Sequence, residues 1–446
     1  MKITVGLLFG GRSVENEISV VTALQTLESM NKEKYEVVPI YIAKTGKWYT
    51  GEKLLTVANY RDMNTLLSQC FEVYMRPVFG DKNLYLVNPG PFSKGVVAAL
   101  DVILPTLHGT NCEDGTLQGV LTSIGIPFVG CNTLASANGM DKITMKMILK
   151  DCDIPVVDYF WFNDKEWYAN QDAVIERLEA KLSYPVIVKP ANSGSSVGIK
   201  AAHNRDELIE AVEYAASFTT RVIVERLVTQ LKEVNCSVKG DYNDCETSVC
   251  EVPMRSGEIL SYQDKYMRGG GTKGAKGGVK SGAAAGLSDG AASESASGEG
   301  ASCDAAAEGA SCDAAAEGAS CENEGMRSLL RELPANLPAG ETERIQELAR
   351  ATFRALACDG LSRIDFIIDE SDRSIYVNEI NSIPGSLSNY LWEATPKADG
   401  EKYRFSEVLD GLIEGAFARS REEGFKVTDF GGNIFAAMPA GGGSKM

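Results

Sequence analysis

The chain has 446 residues, 44% of them apolar, which is enough for two or three domains with buried cores. No run approaches about 18 apolar residues, the length that predicts a membrane-spanning helix, and no basic patch stands out. We therefore expect neither a membrane nor a nucleic-acid partner. The net charge of −17 includes nine acidic residues and no basic residue between 281 and 325, which leaves −8 for the remainder, an ordinary value.

The cysteines and the first residues indicate a compartment. The 11 cysteines are scattered without a C-x-x-C pair. Residues 1–19 hold a short apolar run that turns polar without a small-residue cleavage site, so we expect no signal peptide. Reduced thiols in a large chain without an export signal are typical of a cytoplasmic protein.

The first part of the chain alternates between apolar strands and an amphipathic helix. Strands are predicted at 2–11, 35–43 and 101–109, with helices at 16–30 and from about Thr116. This strand–helix–strand order predicts a parallel, Rossmann-like first domain.

The pattern of helices and strands continues after residue 135. Asn204, followed three residues later by Glu207, predicts a helix N-cap pair. The predicted helices are 140–151, 166–182, 205–217 and 341–357, and the predicted strands are 185–190, 221–226, 234–239, 247–253, 361–369 and 374–381.

Residues 269–325 differ from the rest of the chain, because they are almost entirely Gly, Ala, Ser and acidic residues. The sequence EGASCDAAA occurs at 299–307 and again at 308–316, and EGASCENEG follows at 317–325. Such a composition buries too little apolar surface to offset its ordering entropy, so we expect disorder in a loop expansion. A binding tail, or a metal tract through its three cysteines, is the alternative: Cys303, Cys312 and Cys321.

Two of the predicted strands carry polar side chains on one face. LSRIDFIID (361–369) and SIYVNEIN (374–381) are joined by four turn residues, which predicts an antiparallel hairpin with Asp365 near Glu379 and Arg363 near Asn381. Two carboxylates about 4 Å apart repel by about 4 kcal/mol at an effective dielectric near 20. A divalent cation such as magnesium would reverse that sign. A salt bridge to Arg363, or a raised carboxylate pKa, would also relieve the repulsion.

A glycine-rich loop follows another apolar strand, in YPVIVKPANSGSSVGIK (184–200). The strand presents Lys189, and Gly194 and Gly198 permit close backbone approach. Backbone amides and the hydroxyls of Ser195 and Ser196 can hold phosphate oxygens. The alternative is an ordinary glycine-rich hairpin turn.

Two loops in the first domain hold further polar groups. His108 lies in LHGTNCEDGTLQG (107–119) with Glu113 and Asp114, and Glu15 lies beyond the first strand in GGRSVENEIS (10–19). Ligands bind at the carboxyl ends of such strands. A structural histidine and a first-turn helix charge are the alternatives. The four segments together indicate phosphate, a divalent metal and a small polar substrate.

These motifs, together with ASANGMDKITMK (135–146) and NEINSIPG (378–385), resemble those of the D-alanine–D-alanine ligase family, of ATP-grasp fold. The resemblance spans nearly the whole chain except 269–325 and the tail after Gly431. It implies an α/β protein in which a Rossmann-like N-terminal domain is followed by central and C-terminal α+β domains that clasp ATP. The implied divisions are 1–134, 135–222, 223–430 with the insertion 269–325, and a flexible tail at 431–446.

The resemblance also implies how ATP and metal are held. Lys142 and Lys189, with Ser195 and Ser196, would contact the phosphates, and Lys265 would open the lid loop. The hinge beside adenine would comprise Glu225, Arg226, Leu227 and Val228, and the ribose-binding acid would be Glu233. The implied metal ligands, for two Mg²⁺ or Mn²⁺ ions, are Asp365, Glu379 and Asn381.

The substrate-binding groups follow by the same resemblance. Glu15 would hold the ammonium of the first D-alanine, beside Ser195 and Tyr266, and Arg363 would stabilise the acyl phosphate and the tetrahedral intermediate. Tyr266 favours D-alanine over D-lactate. The other implied substrate contacts are His108, Gly385 and Ser386.

The implied reaction joins two D-alanines through a D-alanyl phosphate, giving ADP and phosphate, for peptidoglycan precursors, in a homodimer. Two departures from the family pattern are Cys112, where glycine is usual, and Tyr390, where a serine usually binds the second substrate. D-Serine or another amino acid therefore stays open as second substrate. A nucleotide-binding regulatory protein without turnover is a further alternative.

Deletion of residues 275–323 tests whether the insertion is a tolerated expansion of the lid loop. We expect kcat to change by less than about tenfold, which is about 1.4 kcal/mol in activation free energy, because extra chain can bulge into solvent. The measurement is ADP release by the deletion variant and the full chain. A larger loss in a variant with unchanged circular dichroism would contradict the expectation.

Overall fold

The computed structural model describes residues 2–194, 197–253 and 331–427. The insertion 269–325, the tail after Gly431 and four of the predicted site residues lie outside this part of the chain: Ser195, Ser196, Lys265 and Tyr266. Three β-sheets organise the described residues, and helices cover them.

The first sheet contains seven strands and is mixed rather than purely parallel. Its strands are β1 (Ile3–Gly10), β2 (Tyr35–Ile42), β3 (Trp48–Thr50), β4 (Phe71–Met75), β5 (Asn83–Leu86), β6 (Val96–Ala99) and β7 (Val102–Pro105), and the spatial order is β6-β5-β4-β3-β2-β1-β7. The predicted parallel pairing holds where β1 lies between β2 and β7. The remaining four strands form an antiparallel meander. Each has only three to five residues, too few for a clear alternating pattern.

The second and third sheets are antiparallel. The second has the order β10-β9-β11-β8, and its strands are β8 (Tyr159–Asn163), β9 (Val186–Pro190), β10 (Lys200–Ala202) and β11 (Arg221–Arg226). The third has the order β14-β13-β12-β15-β16, and its strands are β12 (Leu231–Gly240), β13 (Cys245–Pro253), β14 (Arg331–Glu332), β15 (Gly360–Asp369) and β16 (Ser374–Asn381). The domain boundary expected after residue 222 falls inside β11, and the domain division stays a prediction.

Helices connect these strands. They are α1 (Asn16–Ser29), α2 (Met63–Ser68), α3 (Thr116–Ile124), α4 (Thr133–Met140), α5 (Lys142–Asp151), α6 (Asp164–Ala169), α7 (Gln171–Glu179), α8 (Arg205–Ala216), α9 (Glu341–Ala355), α10 (Asn389–Ala394) and α11 (Phe405–Gly424). The single helix predicted at 166–182 is wrong, because the Asn170 side chain accepts from the Ala173 amide and starts a new helix there. Asn204 caps α8 as expected. None of the helices in the described ranges is long and apolar enough to cross a membrane.

A core shared by the first and third sheets fixes the position of α10. Trp392 is fully buried in the cluster that holds Phe9 of β1 and Leu409 of α11. Its indole nitrogen donates to Ser237 Oγ of β12 at 3.1 Å. The chain between β16 and α10 is therefore anchored on both sides.

Replacement of Trp392 by alanine tests this anchor. Loss of a fully buried indole should lower the free energy of unfolding by about 3–5 kcal/mol. The control is Trp161→Ala, since Trp161 lies at the surface and its loss should cost less than about 1 kcal/mol. Urea unfolding measures both. Equal losses for the two variants would be inconsistent with the proposed anchor.

Candidate active site

The hairpin of β15 and β16 has the predicted register, and a β-bulge makes it possible. Asp369 pairs with Ser374, Asp365 with Glu379 and Arg363 with Asn381. Uninterrupted pairing from the turn would set Asp365 opposite Asn378, but the ladder shifts by one residue between Asp365 and Phe366. This bulge re-aims the end of β16. The two carboxylates consequently face each other, as expected.

Each of the two carboxylates has its own cationic partner. Arg363 makes a bidentate contact with Asp365, through Nε at 2.7 Å and Nη2 at 2.8 Å, and Asn381 Nδ2 lies 3.1 Å from Asp365 Oδ2. Lys142 Nζ lies 3.3 Å from Glu379 Oε2. The salt bridge to Arg363 that the sequence left open is therefore present. Within the described ranges, no group of three or more His, Cys, Asp or Glu side chains is arranged for a metal ion.

A buried cluster of charge lies behind the hairpin. Glu225 of β11 is flanked by Lys189, at 2.8 Å from Oε2, and by Lys146, at 3.2 Å from Oε1. The Lys146 contact is an ion pair without hydrogen-bond alignment. Lys189 Nζ also contacts Asn378 Oδ1 at 3.2 Å, which joins the cluster to the bulge.

Burial and pairing act in opposite directions on this cluster. Burial alone would raise the pKa of Glu225, but Lys146 and Lys189 together lower it to about 2. Burial lowers the pKa of the Lys146 ammonium, and the neighbouring Lys189 and Lys142 lower it further. Glu225 is therefore ionised at neutral pH and neutralises a crowded group of amines.

The predicted hinge residues lie where the second and third sheets meet. Arg226 pairs with Asp369 at 3.1 Å, and its guanidinium lies 5.7 Å from the Tyr376 ring centre. Val228 is buried against Ile367, and Glu233 stands on β12 opposite Ile367. These residues therefore adjoin one another, whereas the Glu225 side chain points into the lysine cluster.

Loops that follow strands of the first sheet reach the glycine-rich loop that follows β9. Glu15 is buried, and a Cβ built at Gly109 would lie 2.6 Å from its Oε2, while one at Gly194 would lie 3.0 Å from it. Lys142 Nζ donates to the Ser193 carbonyl at 3.0 Å. Glycine at these positions lets two loops close around the Glu15 carboxylate.

His108 belongs to a hydrogen-bonded chain that ends on the loop after β16. Its Nε2 lies 2.9 Å from Thr22 Oγ1, which also accepts from the Ser386 amide at 3.1 Å. Burial, with a smaller contribution from the positive Arg363, lowers the pKa of His108 to about 4. The imidazole is therefore neutral at pH 7.

Glu113 links the same two regions, and the sequence analysis did not single it out as a site residue. Its carboxyl accepts from the Gly109 amide at 2.8 Å and from the Ile383 amide at 3.0 Å. Its partial removal from water, with the repulsion of the nearby Glu15, raises the pKa of Glu113 to about 8. Its place in the HGTNCEDG motif was the available signal, but its contact with Ile383 depends on the loop after β16.

The loop after β16 is strained and contains unpaired polar groups. Ser386, Leu387 and Ser388 have φ values of 51°, 46° and 51°, in the left-handed region that non-glycine residues avoid. The hydroxyls of Ser386 and Ser388 and the Asn389 side-chain oxygen are buried without a hydrogen-bond partner among the described residues. Groups of this kind are candidates for ligand contacts.

Two further residues went unnoticed as parts of the site. Lys146 follows Lys142 by one helical turn, so helical spacing could have placed both on one face of α5. The buried Glu251 accepts from the Tyr390 hydroxyl at 2.7 Å. No local signal marks that contact, because β13 and α10 are distant in sequence.

Family models match most of the chain. The "D-ala D-ala ligase N-terminus" model matches residues 4–131. The "D-ala D-ala ligase C-terminus" model matches residues 148–283 and 321–414. The interval 284–320, which neither model covers, lies within the segment expected to be an insertion.

Curated relatives and solved structures agree with these matches. A D-alanine–D-alanine ligase of Thermosipho africanus is 34% identical over 97% of this chain and 98% of its own, and one of Caldicellulosiruptor bescii is 34% identical over 95% and 97%. The VanG D-Ala:D-Ser ligase of Enterococcus faecalis has a TM-score of 0.68 at 28% identity, covering 93% of this chain and 100% of that one. The Coxiella burnetii D-alanine–D-alanine ligase has a TM-score of 0.68 at 23% identity, covering 95% and 96%, which supports the fold.

Replacement of Glu225 by glutamine tests the buried charge cluster. The change leaves two buried amines without a counter-charge, and we expect the free energy of unfolding at pH 7 to fall by about 3–5 kcal/mol. The control, Glu176→Gln, alters an exposed side chain and should change it by less than about 0.5 kcal/mol.

The Glu225→Gln variant also tests how the free energy of unfolding depends on pH. The pKa of Glu225 is lowered from 4.5 to about 2 on folding, so its ionised form stabilises the protein above pH 4.5. That contribution to the free energy of unfolding is lost as the pH falls from 4.5 to about 2. The difference between wild type and Glu225→Gln should therefore narrow on acidification, as measured by urea unfolding from pH 7 to 3. A difference that widens would contradict the assigned ion pairs.

Proposed function

This chain belongs to the D-alanine–D-alanine ligase family, of ATP-grasp fold, whose members ligate D-alanine with ATP for peptidoglycan precursor synthesis, and we propose how its residues carry out that reaction. The observation that carries the proposal is the convergence of Lys142, Lys189, Arg363 and the Asp365–Glu379 pair on one site. The first D-alanine carboxylate attacks the γ-phosphate of ATP. The resulting D-alanyl phosphate is attacked by the amine of a second D-alanine, which releases phosphate.

Cationic side chains hold the nucleotide in this proposal. Lys142 and Lys189 bind the phosphates, and the glycine-rich loop with Ser195 and Ser196 adds amides and hydroxyls. Lys189 is shared between Glu225 and Asn378, so it is oriented before ATP arrives. The base lies against Glu225–Val228, and Glu233 takes the ribose.

The hairpin fits a divalent metal. Asp365 and Glu379 face each other, and Asn381 adds an amide oxygen, so all the donors are hard oxygen ligands of the kind magnesium prefers. We propose two Mg²⁺ or Mn²⁺ ions, which would neutralise charge on the phosphates. With these carboxylates committed to metal, Arg363 and Lys142 become available to the substrates.

Loops from all three sheets hold the amino acids. Glu15 receives the ammonium of the first D-alanine, beside Ser195 and Tyr266. Arg363 stabilises the acyl phosphate and the tetrahedral intermediate, because a buried guanidinium presents two parallel donors. The neutral His108, acting through Thr22, orients the Gly385–Ser386 backbone near the second amino acid.

Family membership also suggests a lid over the site, a compartment and an oligomeric state. Lys265 and Tyr266 begin a lid that keeps water from the acyl phosphate, and the insertion extends that lid. We place the enzyme in the cytoplasm as a homodimer. Sedimentation velocity at micromolar concentration tests the dimer, and a single monomer species would contradict it.

The first experiment measures ADP release with ATP, Mg²⁺ and either D-alanine or D-serine, alone or together, and identifies products by mass spectrometry. We expect D-alanyl-D-alanine with D-alanine alone. A mixed product formed in preference would reassign the second subsite to D-serine. ATP binding by folded protein without ADP formation would support a regulatory homologue instead.

Replacement of Arg363 by lysine tests its place at the developing charge. Lysine keeps the charge but loses the two parallel donors, and we expect kcat to fall by about 10²–10³-fold. The dissociation constant for ATP, from calorimetry, should stay within about threefold, since phosphate binding rests on the lysines. A parallel loss of ATP affinity would place Arg363 at the nucleotide instead.

A further inference from the structure

Four polar side chains form a row across the third sheet. Glu251 of β13 pairs with Asn235 of β12, Asn235 pairs with Asp365 of β15, and Asp365 pairs with Glu379 of β16. Register partners in neighbouring strands point to the same face of a sheet. The row therefore extends from the proposed metal carboxylates to Glu251, about 10 Å from Asp365 at two strand spacings. The mechanism above gives Glu251 no role.

Glu251 is buried and fully engaged. Its Oε1 accepts from Tyr390 Oη at 2.7 Å and from Asn235 Nδ2 at 3.0 Å, and its Oε2 accepts from Arg331 Nη1 at 3.0 Å. The Arg331 guanidinium also lies 4.0 Å above the centre of the Tyr390 ring. A carboxylate tolerates burial only with such partners, so these contacts are held together. We call Glu251, Arg331 and Tyr390 the clasp.

The clasp joins two regions of the site. Glu251 and Arg331 stand beside the two ends of the segment 254–330, where Pro253 pairs with Arg331. Tyr390 stands two residues beyond Ser388, at the start of α10. The clasp thus connects the paired ends of β13 and β14 to the loop 385–388.

That loop needs support at both ends. Three consecutive left-handed residues are unfavourable without glycine, and such a conformation persists only where its surroundings impose it. On the N-terminal side, Glu113 holds the Ile383 amide and Thr22 holds the Ser386 amide. On the C-terminal side, the clasp holds Tyr390.

The unpaired groups of the loop point to a ligand. The hydroxyls of Ser386 and Ser388 are more than nine-tenths buried, as is the Asn389 oxygen, and none has a partner among the described residues. A polar amino acid bound there would satisfy them. The Tyr390 hydroxyl differs from these groups, because it already donates its proton to Glu251.

We infer that Glu251, with Arg331 and Tyr390, is a positioning residue that holds the loop 385–388 in the conformation that binds the second amino acid. The inference rests on the proposed function. It predicts that loss of the clasp weakens the binding of the second amino acid without weakening the binding of ATP.

The kinetic test uses Tyr390→Phe, which removes one hydroxyl and keeps the ring beneath Arg331. We expect the KM for the second D-alanine to rise about tenfold, as for loss of one hydrogen bond to a charged group, with the KM for ATP within about twofold. Glu251→Gln should likewise raise the KM for the second D-alanine and leave the KM for ATP within about twofold. The ADP formed should also exceed the dipeptide formed, because water hydrolyses the D-alanyl phosphate to D-alanine and phosphate when the second amino acid binds weakly.

The matched control is Tyr403→Phe. Tyr403 Oη donates to Glu246 of the same strand, β13, at 2.6 Å, but at a distance along the strand from the clasp. We expect wild-type KM values and equal amounts of ADP and dipeptide. If Tyr390→Phe behaves as this control does, or if the two KM values rise together, the clasp does not position the second subsite.

A second measurement does not depend on turnover. Hydrogen exchange of the amides at 382–392 should quicken in Arg331→Met, although Arg331 lies at the other end of the clasp, and should stay unchanged in Tyr403→Phe. Unchanged exchange in Arg331→Met would overturn the inference that the clasp holds the loop 385–388. If wild-type protein forms no dipeptide, the proposed function fails, and the exchange result still decides whether the clasp holds the loop.

Discussion

Two carboxylates on neighbouring strands, the buried Asp365 and the partly exposed Glu379, are the constraint around which the whole site is organised. Their mutual repulsion has to be offset, and two cationic side chains do so: Arg363 at 2.7 Å and Lys142 at 3.3 Å. Both cations belong to the set proposed to bind the phosphoryl groups. In the proposed mechanism, metal and substrate would therefore interact with the same small group of charged side chains.

The same rule of charge compensation extends outward through the buried residues. Glu225 neutralises Lys146 and Lys189 on one side of the hairpin, and Glu251 is neutralised by Arg331 on the other. Each acid joins elements from different parts of the chain. Burial makes these pairs strongly dependent on one another, because loss of one partner leaves an uncompensated charge away from water. These ion pairs thus hold α5 against the second sheet, and β13 against β14 in the third.

Loops from the first sheet complete the arrangement. Glu113 carries hydrogen bonds from both Gly109 and Ile383, and Thr22 lies between His108 and the Ser386 amide. The strained loop 385–388 is consequently fixed from one side by the first sheet and from the other by α10. A polar subsite built on strain is specific because its groups cannot easily turn away to find other partners.

The amino-acid sequence by itself determined the hairpin, the pairing of Asp369 with Ser374 at its turn and the cap at Asn204, since alternation and turn length are local properties. It also determined the family, because its motifs occur in a fixed order along the chain. Only the tertiary structure decided that a bulge at Asn378 brings Asp365 opposite Glu379, that Glu113 binds the Ile383 amide, and that the buried Glu251 binds Tyr390. The physical reason is that burial, and the charge pairing that burial demands, arise between elements far apart in sequence, so no local pattern records them.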